Sequence, residues 1–405
     1  MNVLMLSATF PYPPTGGGTQ VRTFHLLKHL QKNHSVTVLT QRDRHVTDAE
    51  IAGLRDCVDN LVVFDRPLDT GTNVGLIKKI QRFSQFLQQG TPPSVLNRYS
   101  TEIQEWIDKA VEEHKYDVIT CEHSVNEIYV RPHFQQHLKT IVNVHSSVYG
   151  SCLNQLTTGV SDNVWRDKIN LPLLRRYEQK YCSKFSTIVV TTEEDKKQLQ
   201  QFCPKTDIAI IPNGVDLVIF PYRTADPQGH KIVFVGAMDN LANIDAVCYF
   251  ANQVLPELQK SYPDTTFDIV GSRPTPEVLA LQNQPGITVT GRVPSMVDYL
   301  HRASVCVVPM RTGFGIKNKT LEALAAGVPV VGSDRGLEGL AIDTPLTALR
   351  ANQPAEYISA ISKLFDNPQL RSQLSQNGRK LVEAEFTWDI AGKRYEQVCL
   401  GAKEG

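Results

Sequence analysis

Short apolar runs alternate with longer segments of helical periodicity, and this alternation constrains the fold more than any other feature of the chain. A strand predicted at 3–8, a helix at 20–32 and a strand at 35–40 form a β-α-β unit. Further strand-like runs follow at 61–64, 117–120, 140–144 and 187–191. Such alternation predicts an α/β protein with a doubly wound, mostly parallel sheet.

The pattern is interrupted near Pro212 and then restarts. After a polar stretch at 224–231, a helix is predicted at 246–261. The strands predicted for this half lie at 231–236, 267–271, 287–291 and 305–309. We therefore predict two Rossmann-like domains that face a cleft, at 1–212 and 213–384. The last helical stretch, 379–401, either stays with the second half or crosses back, and a helix at about 385–405 would then pack on the first domain.

Length and composition exclude several classes of protein. A chain of 405 residues fits two domains, and its 42 basic and 42 acidic side chains cancel, which argues against a nucleic-acid partner. Its eight cysteines are dispersed, as buried thiols in a reducing compartment would be. The first residues lack a basic leader and no apolar run reaches about 18 residues. We predict a cytoplasmic protein.

The segment 309–333 carries the strongest chemical signal. A buried strand ends at Pro309, an irregular loop follows, and a helix is predicted at 319–326. Ligands bind at such loops in parallel sheets, and the helix N-terminus attracts anions. The loop contains or adjoins three cationic residues and two glycines that permit close backbone approach: Arg311, Gly313, Gly315, Lys317 and Lys319. A diphosphate fits this chemistry, although a simple turn with solvated lysines fits the bare motif equally well.

Glu322 follows Lys319 by one helical turn, so both side chains project from the same side of the helix. A carboxylate there can accept two hydrogen bonds from a vicinal diol such as a ribose. A glutamate in a first helical turn also favours the helix dipole without any ligand, and position alone does not separate the two interpretations.

These residues carry a family resemblance. The run Gly-Ile-Lys-Asn-Lys-Thr-Leu-Glu-Ala-Leu-Ala-Ala-Gly-Val-Pro-Val-Val at 315–331 resembles the donor-site signature of retaining glycosyltransferases of family 4 (glycosyltransferase group 1), which have the GT-B fold. Further matches follow in the family's order at 15–19, 142–146, 211–216, 234–236 and 289–293. The resemblance covers nearly the whole chain. Within the family, the sequence is similar to a subgroup of bacterial sugar transferases.

The resemblance implies a hexosyltransferase-type enzyme. Such an enzyme moves a sugar from a nucleotide-sugar donor to a hydroxyl acceptor with retention of anomeric configuration, in glycan, glycolipid or exopolysaccharide synthesis. The first domain would bind a glycan, a lipid-linked or a small-molecule acceptor, and the second would bind the donor. Neither a metal nor a separate cofactor is implied, and the chain contains no Asp-x-Asp motif.

The resemblance also assigns residues to roles. Glu322 would bind the ribose, and the nucleotide base would lie along the backbone of Arg292 and Val293. His145 would lie near the reacting sugar carbon. The implied donor-binding residues are Gly16, Gly17, Gly18, Gly236, Arg292, Val293, Gly315, Ile316, Lys317, Asn318, Lys319, Thr320 and Glu322. The implied catalytic residues are His145, Lys319 and Arg311.

Two departures from the family pattern affect these roles. The family often has an acidic residue eight positions before Glu322, where this chain has Phe314. It also often has Arg and Lys after the first strand of the second domain, where this chain has Ala237 and Asn243. Those cations are missing, so Arg311, Lys317 and Lys319 become the candidates to neutralise the diphosphate.

Other interpretations stay open. A sugar-nucleotide epimerase of the same fold would act without an acceptor, and an inactive nucleotide-sugar binding protein would bind without turnover. Glu122 and His123 follow a strand and either line the cleft or form a turn. His133 and His137 have the spacing of a metal pair but no third ligand, so a surface helix is favoured.

A helical stripe at 76–87 carries an apolar face beside Lys78, Lys79 and Arg82. Amphipathic helices of this kind more commonly pack their apolar face against the sheet. Peripheral contact with the inner membrane surface is the alternative.

Overall fold

A computed structural model describes residues 1–14, 17–66, 84, 86–88, 90–145, 147–159, 161, 163–313 and 315–402. The chain divides into two compact units. The first unit contains Met1–Pro212 together with Ala391–Gly405, and the second contains Asn213–Ile390. The end of the chain therefore returns to the first unit.

The first unit is built on a parallel sheet of seven strands in the order β3-β2-β1-β4-β5-β6-β7. The strands are β1 (Asn2–Ser7), β2 (Ser35–Arg42), β3 (Asn60–Asp65), β4 (Val118–Cys121), β5 (Lys139–Asn143), β6 (Thr187–Val190) and β7 (Asp207–Ile210). Its inner strands are runs of Val, Leu and Ile with almost no exposed surface, as expected of a parallel sheet covered on both faces.

Helices connect these strands and cover the sheet. They are α1 (Gly18–Leu30), α2 (Asp48–Arg55), α3 (Pro93–Leu96), α4 (Thr101–Glu112), α5 (Val148–Thr158), α6 (Val164–Cys182) and α7 (Glu193–Gln200). Two short 3₁₀ helices at Ser124–Tyr129 and Pro132–Gln136 follow β4. The sheet order changes direction between β1 and β4, so the loops after these strands lie at a topological switch point, where doubly wound sheets bind ligands.

The second unit has a parallel sheet of six strands in the order β10-β9-β8-β11-β12-β13. They are β8 (Lys231–Val235), β9 (Thr266–Val270), β10 (Ile287–Val289), β11 (Val305–Val308), β12 (Val330–Gly332) and β13 (Leu349–Arg350). The helices are α8 (Leu241–Gln253), α9 (Leu255–Ser261), α10 (Pro276–Ala280), α11 (Met296–Arg302), α12 (Asn318–Ala325), α13 (Pro354–Asp366) and α14 (Pro368–Glu385). A 3₁₀ helix at Leu281–Asn283 follows α10, and α15 (Trp388–Leu400) completes the chain's described helices.

The predicted fold class, two doubly wound Rossmann-like domains, is confirmed. Two helix predictions are wrong in detail. The helix predicted at 246–261 is two helices, because Pro256 near the start of α9 has no N–H to continue α8. The stretch 379–401 is also broken, at Phe386 and Thr387, and from Ala391 onward it belongs to the first unit.

Candidate functional site

The candidate donor-binding segment lies at the switch point of the second sheet. The strand order reverses between β8 and β11, which are hydrogen-bonded neighbours. Gly236 follows β8, and the loop that begins at Pro309 follows β11, so both loops leave from the same edge of the sheet. This is where the sequence predicted ligand binding.

Helix α12 begins in the β11 loop and presents its N-terminus there. Lys317 precedes the helix, and no side chain caps its first turn. Thr320 N already donates to Lys317 O at 2.9 Å, so the amides before it, at Asn318 and Lys319, are the ones that a bound anion would meet. Gly313 at φ 103° and Gly315 at φ 69° adopt conformations that side-chain-bearing residues avoid, which lets the loop turn into the helix.

Lys319 lies half-buried in the first turn of α12. Its Nζ donates to Asn243 Oδ1 at 2.5 Å, lies 4.1 Å from the centre of the Phe234 ring and 4.0 Å from Met310 Sδ. None of these three contacts is a carboxylate. Burial, assisted by the charge of the neighbouring Lys317, lowers the pKa of Lys319 to about 7, and an incoming anion would raise that pKa and so favour the charged ammonium.

Glu322, one turn later, shares this environment. Burial raises the pKa of Glu322 to about 7, and the charge of Lys319 opposes that rise. Cys306 of β11 lies close enough to interact electrostatically with both groups, and burial raises its pKa to about 12, so it stays a thiol. Glu322 is half-buried, and such a carboxylate is suited to accept hydrogen bonds from hydroxyl groups.

Asn243 stands where the resemblance expects a lysine, and it supports Lys319 instead. Its Nδ2 donates to Ala237 O at 2.8 Å, which directs Oδ1 at the lysine. A Cβ placed on Gly236 would lie 2.8 Å from Asn243 Nδ2 and 3.0 Å from Lys319 Nζ. Glycine at 236 therefore leaves room for this pair.

The other two predicted loop cations have protein carboxylate partners. Arg311 Nε donates to Asp245 Oδ2 at 2.9 Å, a second bond joins its NH2 group to Oδ1, and the guanidinium lies over Tyr249 at 5.1 Å. Lys317 Nζ donates to Gly315 O and lies 3.4 Å from Glu338 Oε2. Of the three predicted cations, Lys319 is thus the one that these carboxylates do not neutralise.

The remaining predicted donor residues surround this segment. Arg292 and Val293 follow Gly291 beyond the carboxyl end of β10, where the arginine is exposed and the valine is half-buried. Asn318 Oδ1 accepts from Asn213 Nδ2 at 2.8 Å, Thr320 Oγ1 donates to Gly336 O at 2.8 Å, and Ile316 is buried. Phe314 lies outside the described residues.

His145 follows β5 in the first unit. Its Nε2 lies 2.9 Å from Glu122 O, and because a carbonyl only accepts, Nε2 carries the proton and Nδ1 is left as an acceptor. The ring stacks on His123 with centroids 5.6 Å apart. Burial lowers the pKa of His145 to about 3, assisted by Arg22 and His123, so the imidazole is neutral at neutral pH.

A buried polar network beside His145 was missed by sequence reasoning. Asn143 Nδ2 donates to Glu122 Oε2 at 3.1 Å, Tyr395 donates to Glu122 Oε1 at 2.6 Å, and Arg22 NH2 donates to Asn143 Oδ1 at 3.2 Å. Thr120 Oγ1 adds a bond to Glu122 at 3.0 Å. Burial raises the pKa of Glu122 and lowers that of Arg22 to about 10. Only Glu122 carried a sequence signal, as a turn or a cleft residue.

Several predicted positions lie away from these clusters or outside the described residues. Gly17 precedes α1 and Gly18 is its first residue, whereas Gly16 is outside the described part of the chain. His133 and His137 are exposed on or next to the second 3₁₀ helix, in place of the surface helix predicted for them. Of the stripe at 76–87, only its C-terminal end is described.

The described residues contain no group of three or more His, Cys, Asp or Glu side chains arranged to hold a metal ion. No described helix is both long enough and apolar enough to cross a membrane. All eight cysteines are free thiols.

Comparison with known proteins decides the family. A family model described as Glycosyltransferase Family 4 matches residues 16–218, half of the chain. The chain belongs to glycosyltransferase family 4. A second model, described as Glycosyl transferases group 1, matches residues 229–367, which include the whole donor segment. The predicted family resemblance is therefore confirmed.

Two curated relatives are similar over part of their length. A putative glycosyltransferase, YtcC of Bacillus subtilis, is 25% identical over 52% of this chain and 60% of its own. A GDP-mannose-dependent monoacylated alpha-(1-6)-phosphatidylinositol monomannoside mannosyltransferase of Corynebacterium glutamicum is 30% identical over 46% of this chain and 55% of its own. The matches thus span little more than half of these relatives.

Solved structures share the fold over nearly the whole chain. Sucrose-phosphate synthase of Thermosynechococcus elongatus has a TM-score of 0.70 at 18% identity and covers 99% of both chains. Anabaena HepE in complex with UDP has a TM-score of 0.62 at 12% identity and covers 99% of this chain and 100% of that one. At these identities the likeness supports the fold alone.

Proposed function

We propose that this protein transfers a glycosyl group from a nucleoside-diphosphate sugar to a hydroxyl acceptor with retention of anomeric configuration and without a metal ion. The observation that carries the proposal is Lys319, a half-buried cation in the first turn of α12 whose contacts with Asn243, Phe234 and Met310 include no carboxylate. Together with the uncapped helix N-terminus it forms a preorganised site for an anionic phosphate group.

The negative charge that develops on the leaving diphosphate determines which groups matter. As the bond from the anomeric carbon to the diphosphate breaks, charge grows on the leaving oxygen, and the Lys319 ammonium and the α12 amides stabilise that charge. Lys319 is held by Asn243 and needs little reorganisation when the diphosphate arrives. Glu322, one turn deeper, accepts hydrogen bonds from the ribose hydroxyls and fixes the nucleotide's orientation.

The relatives support a nucleotide sugar as donor without deciding which one. One curated relative is named for GDP-mannose, and structural neighbours include complexes with UDP and UDP-glucose. Glycan, glycolipid or exopolysaccharide synthesis on the cytoplasmic side of the membrane is the role we propose. The acceptor is a glycan, a lipid-linked hydroxyl or a small molecule.

The proposal is tested by a donor panel followed by a product assay. UDP-, GDP- and ADP-sugars are screened by thermal shift, since a ligand that binds only the native protein raises its melting temperature. The stabilising donor is then incubated with candidate acceptors, and the anomeric configuration of the product is read by NMR. Conversion of the donor to an epimer without an acceptor, or binding with no turnover on any acceptor, would contradict the proposal.

Chelation is expected to leave the reaction rate unchanged. Lys319 and the α12 amides supply the positive charge that a divalent ion would otherwise supply. Initial rates are measured after dialysis against EDTA, with and without added Mg²⁺ or Mn²⁺. Activity that is abolished by EDTA and restored by either ion would disprove metal independence.

Glu322→Ala is expected to weaken nucleotide binding about ten- to a hundredfold. Loss of a hydrogen bond to a charged group costs about 1.5 to 3 kcal/mol, and alanine preserves the helix. Isothermal titration calorimetry with the nucleoside diphosphate measures the effect. Glu385→Ala, at the exposed end of α14, is the matched control and should bind like the parent. Equal affinities for all three proteins would place the ribose elsewhere.

A further inference from the structure

Helices α5 and α6 form an antiparallel hairpin on the first unit. Near the end of α6, Glu178 accepts from Ser147 Oγ and Val148 N, both at 2.7 Å, at the start of α5. Near the start of α6, Asp167 O lies 3.5 Å from Cys152 Sγ, which is further along α5. The hairpin is therefore tied down by buried contacts along one side of α6, and its other side is left to solvent.

The solvent side of α6 exposes large apolar side chains. Trp165 is 78% exposed and Ile169 is 54% exposed, and Val164 is also exposed. Trp165, Ile169 and Pro172 are spaced three or four residues apart, so they share one face of the helix. Tyr177 and Tyr181 point the opposite way, into the core. Neighbouring exposed apolar side chains of this size are typical of an interaction surface.

The charges on α6 are separated by sign. Five cationic side chains are exposed along the helix: Arg166, Lys168, Arg175, Arg176 and Lys180. Its two carboxylates, Asp167 and Glu178, are buried and hydrogen-bonded. Lys168 Nζ lies 5.8 Å from the Trp165 ring, so a cation and the main apolar group are side by side. Arg166 Nε donates to the buried Asp167 Oδ1 at 2.8 Å, so this cation is already paired. No exposed carboxylate lies on α6, so the exposed charges beside its apolar side chains are all positive.

We propose that this face of α6 docks on an anionic lipid bilayer. Tryptophan and isoleucine insert at the boundary between head groups and acyl chains, and tryptophan is enriched at that depth in membrane proteins. The surrounding lysines and arginines meet the negative head groups, each worth roughly fivefold in partition at the surface. Charge complementarity selects this occupant, because every exposed charge on the helix has the sign opposite to that of the lipid.

The proposal is tested by vesicle sedimentation with the full-length protein. Vesicles of phosphatidylcholine alone are compared with an equal mixture of phosphatidylcholine and phosphatidylglycerol. We expect binding to the anionic vesicles only, weakened by salt, with a blue shift of tryptophan emission that Trp165→Phe abolishes. Binding requires neither donor nor acceptor, so its failure and a failure of sugar transfer are separate results.

Two pairs of variants identify the surface. Lys168→Gln/Arg176→Gln/Lys180→Gln should lower the partition about a hundredfold, whereas Lys205→Gln/Lys363→Gln/Lys380→Gln, which removes equal charge elsewhere, should lower it far less. Trp165→Ser/Ile169→Ser should lower it about tenfold, and Val218→Ser/Ile219→Ser, also exposed and apolar, should have no effect. Nucleotide binding should persist in every variant, which shows that the protein is folded.

Three results would overturn the proposal: equal binding to both kinds of vesicle, anionic binding that the α6 variants leave intact, and no binding to either. If neither kind of vesicle is bound, a protein partner becomes the interpretation of the exposed α6 face.

Discussion

Lys319→Met is expected to lower turnover about a thousandfold while weakening donor binding much less. Methionine fills a similar volume but removes the charge, and loss of one preorganised group aimed at developing charge costs up to about that factor. The charge matters more in the transition state than in the intact donor, so kcat should fall more than KM rises. Steady-state kinetics with saturating acceptor separate the two. Lys380→Met, on the exposed side of α14, is the matched control.

The pH dependence of donor binding checks the same residue. Because the pKa of Lys319 is about 7 without ligand, the ammonium needed for the diphosphate is lost as pH rises above 7. Affinity of the parent should therefore fall above pH 7, by at most about tenfold per pH unit, with proton uptake on binding. This alkaline fall should disappear in Lys319→Met. Parent-like kinetics and an unchanged pH profile would place the diphosphate on another loop.

His145→Ala is expected to lower turnover about a hundredfold with nucleotide affinity nearly intact. The Glu122 carbonyl fixes Nε2–H and leaves Nδ1 to accept a hydrogen bond, and the lowered pKa of the ring keeps it neutral. Removal of one positioned group has about this effect on a chemical step. Single-turnover kinetics and nucleotide titration measure the two quantities. His133→Ala, an exposed histidine, is the control, and unchanged turnover in His145→Ala would leave that residue with a structural role only.

The strands were predictable because their signal is local. Buried parallel strands such as β1 and β11 are continuous apolar runs that end in turn residues, and six of the seven strands of the first sheet were predicted to within two residues. The second sheet's edge strand β13, at Leu349–Arg350, was missed because two residues carry no period. The break before α15 was missed because Phe386 and Thr387 are not helix breakers by type.

The candidate site was predictable only in part, since its chemistry depends on pairings across the sheet. The sequence indicated the loop, Lys319 and Glu322, but it left three cations equivalent. The three cations differ because two of them have carboxylate partners. Arg311 pairs with Asp245, and Lys317 lies beside Glu338, and both carboxylates are distant in sequence from the loop. In the sequence, Asn243 indicated only that a cation of the family pattern is missing. Its hydrogen bond to Lys319 forms because β8 and β11 are neighbours in the sheet, which the sequence does not reveal.

The return of the chain's end to the first unit affects the order in which the protein is made. Tyr395 hydrogen-bonds Glu122, which lies 273 positions earlier in the chain. During synthesis the whole second unit leaves the ribosome before the part of α15 that belongs to the first unit, from Ala391 onward, and domains generally fold as units in the order of their emergence. Until Tyr395 emerges, the Glu122 carboxylate of the first unit lacks one of its hydrogen-bond donors, whereas all residues of the second unit have already been synthesised. The first unit to be translated is thus the last to be finished.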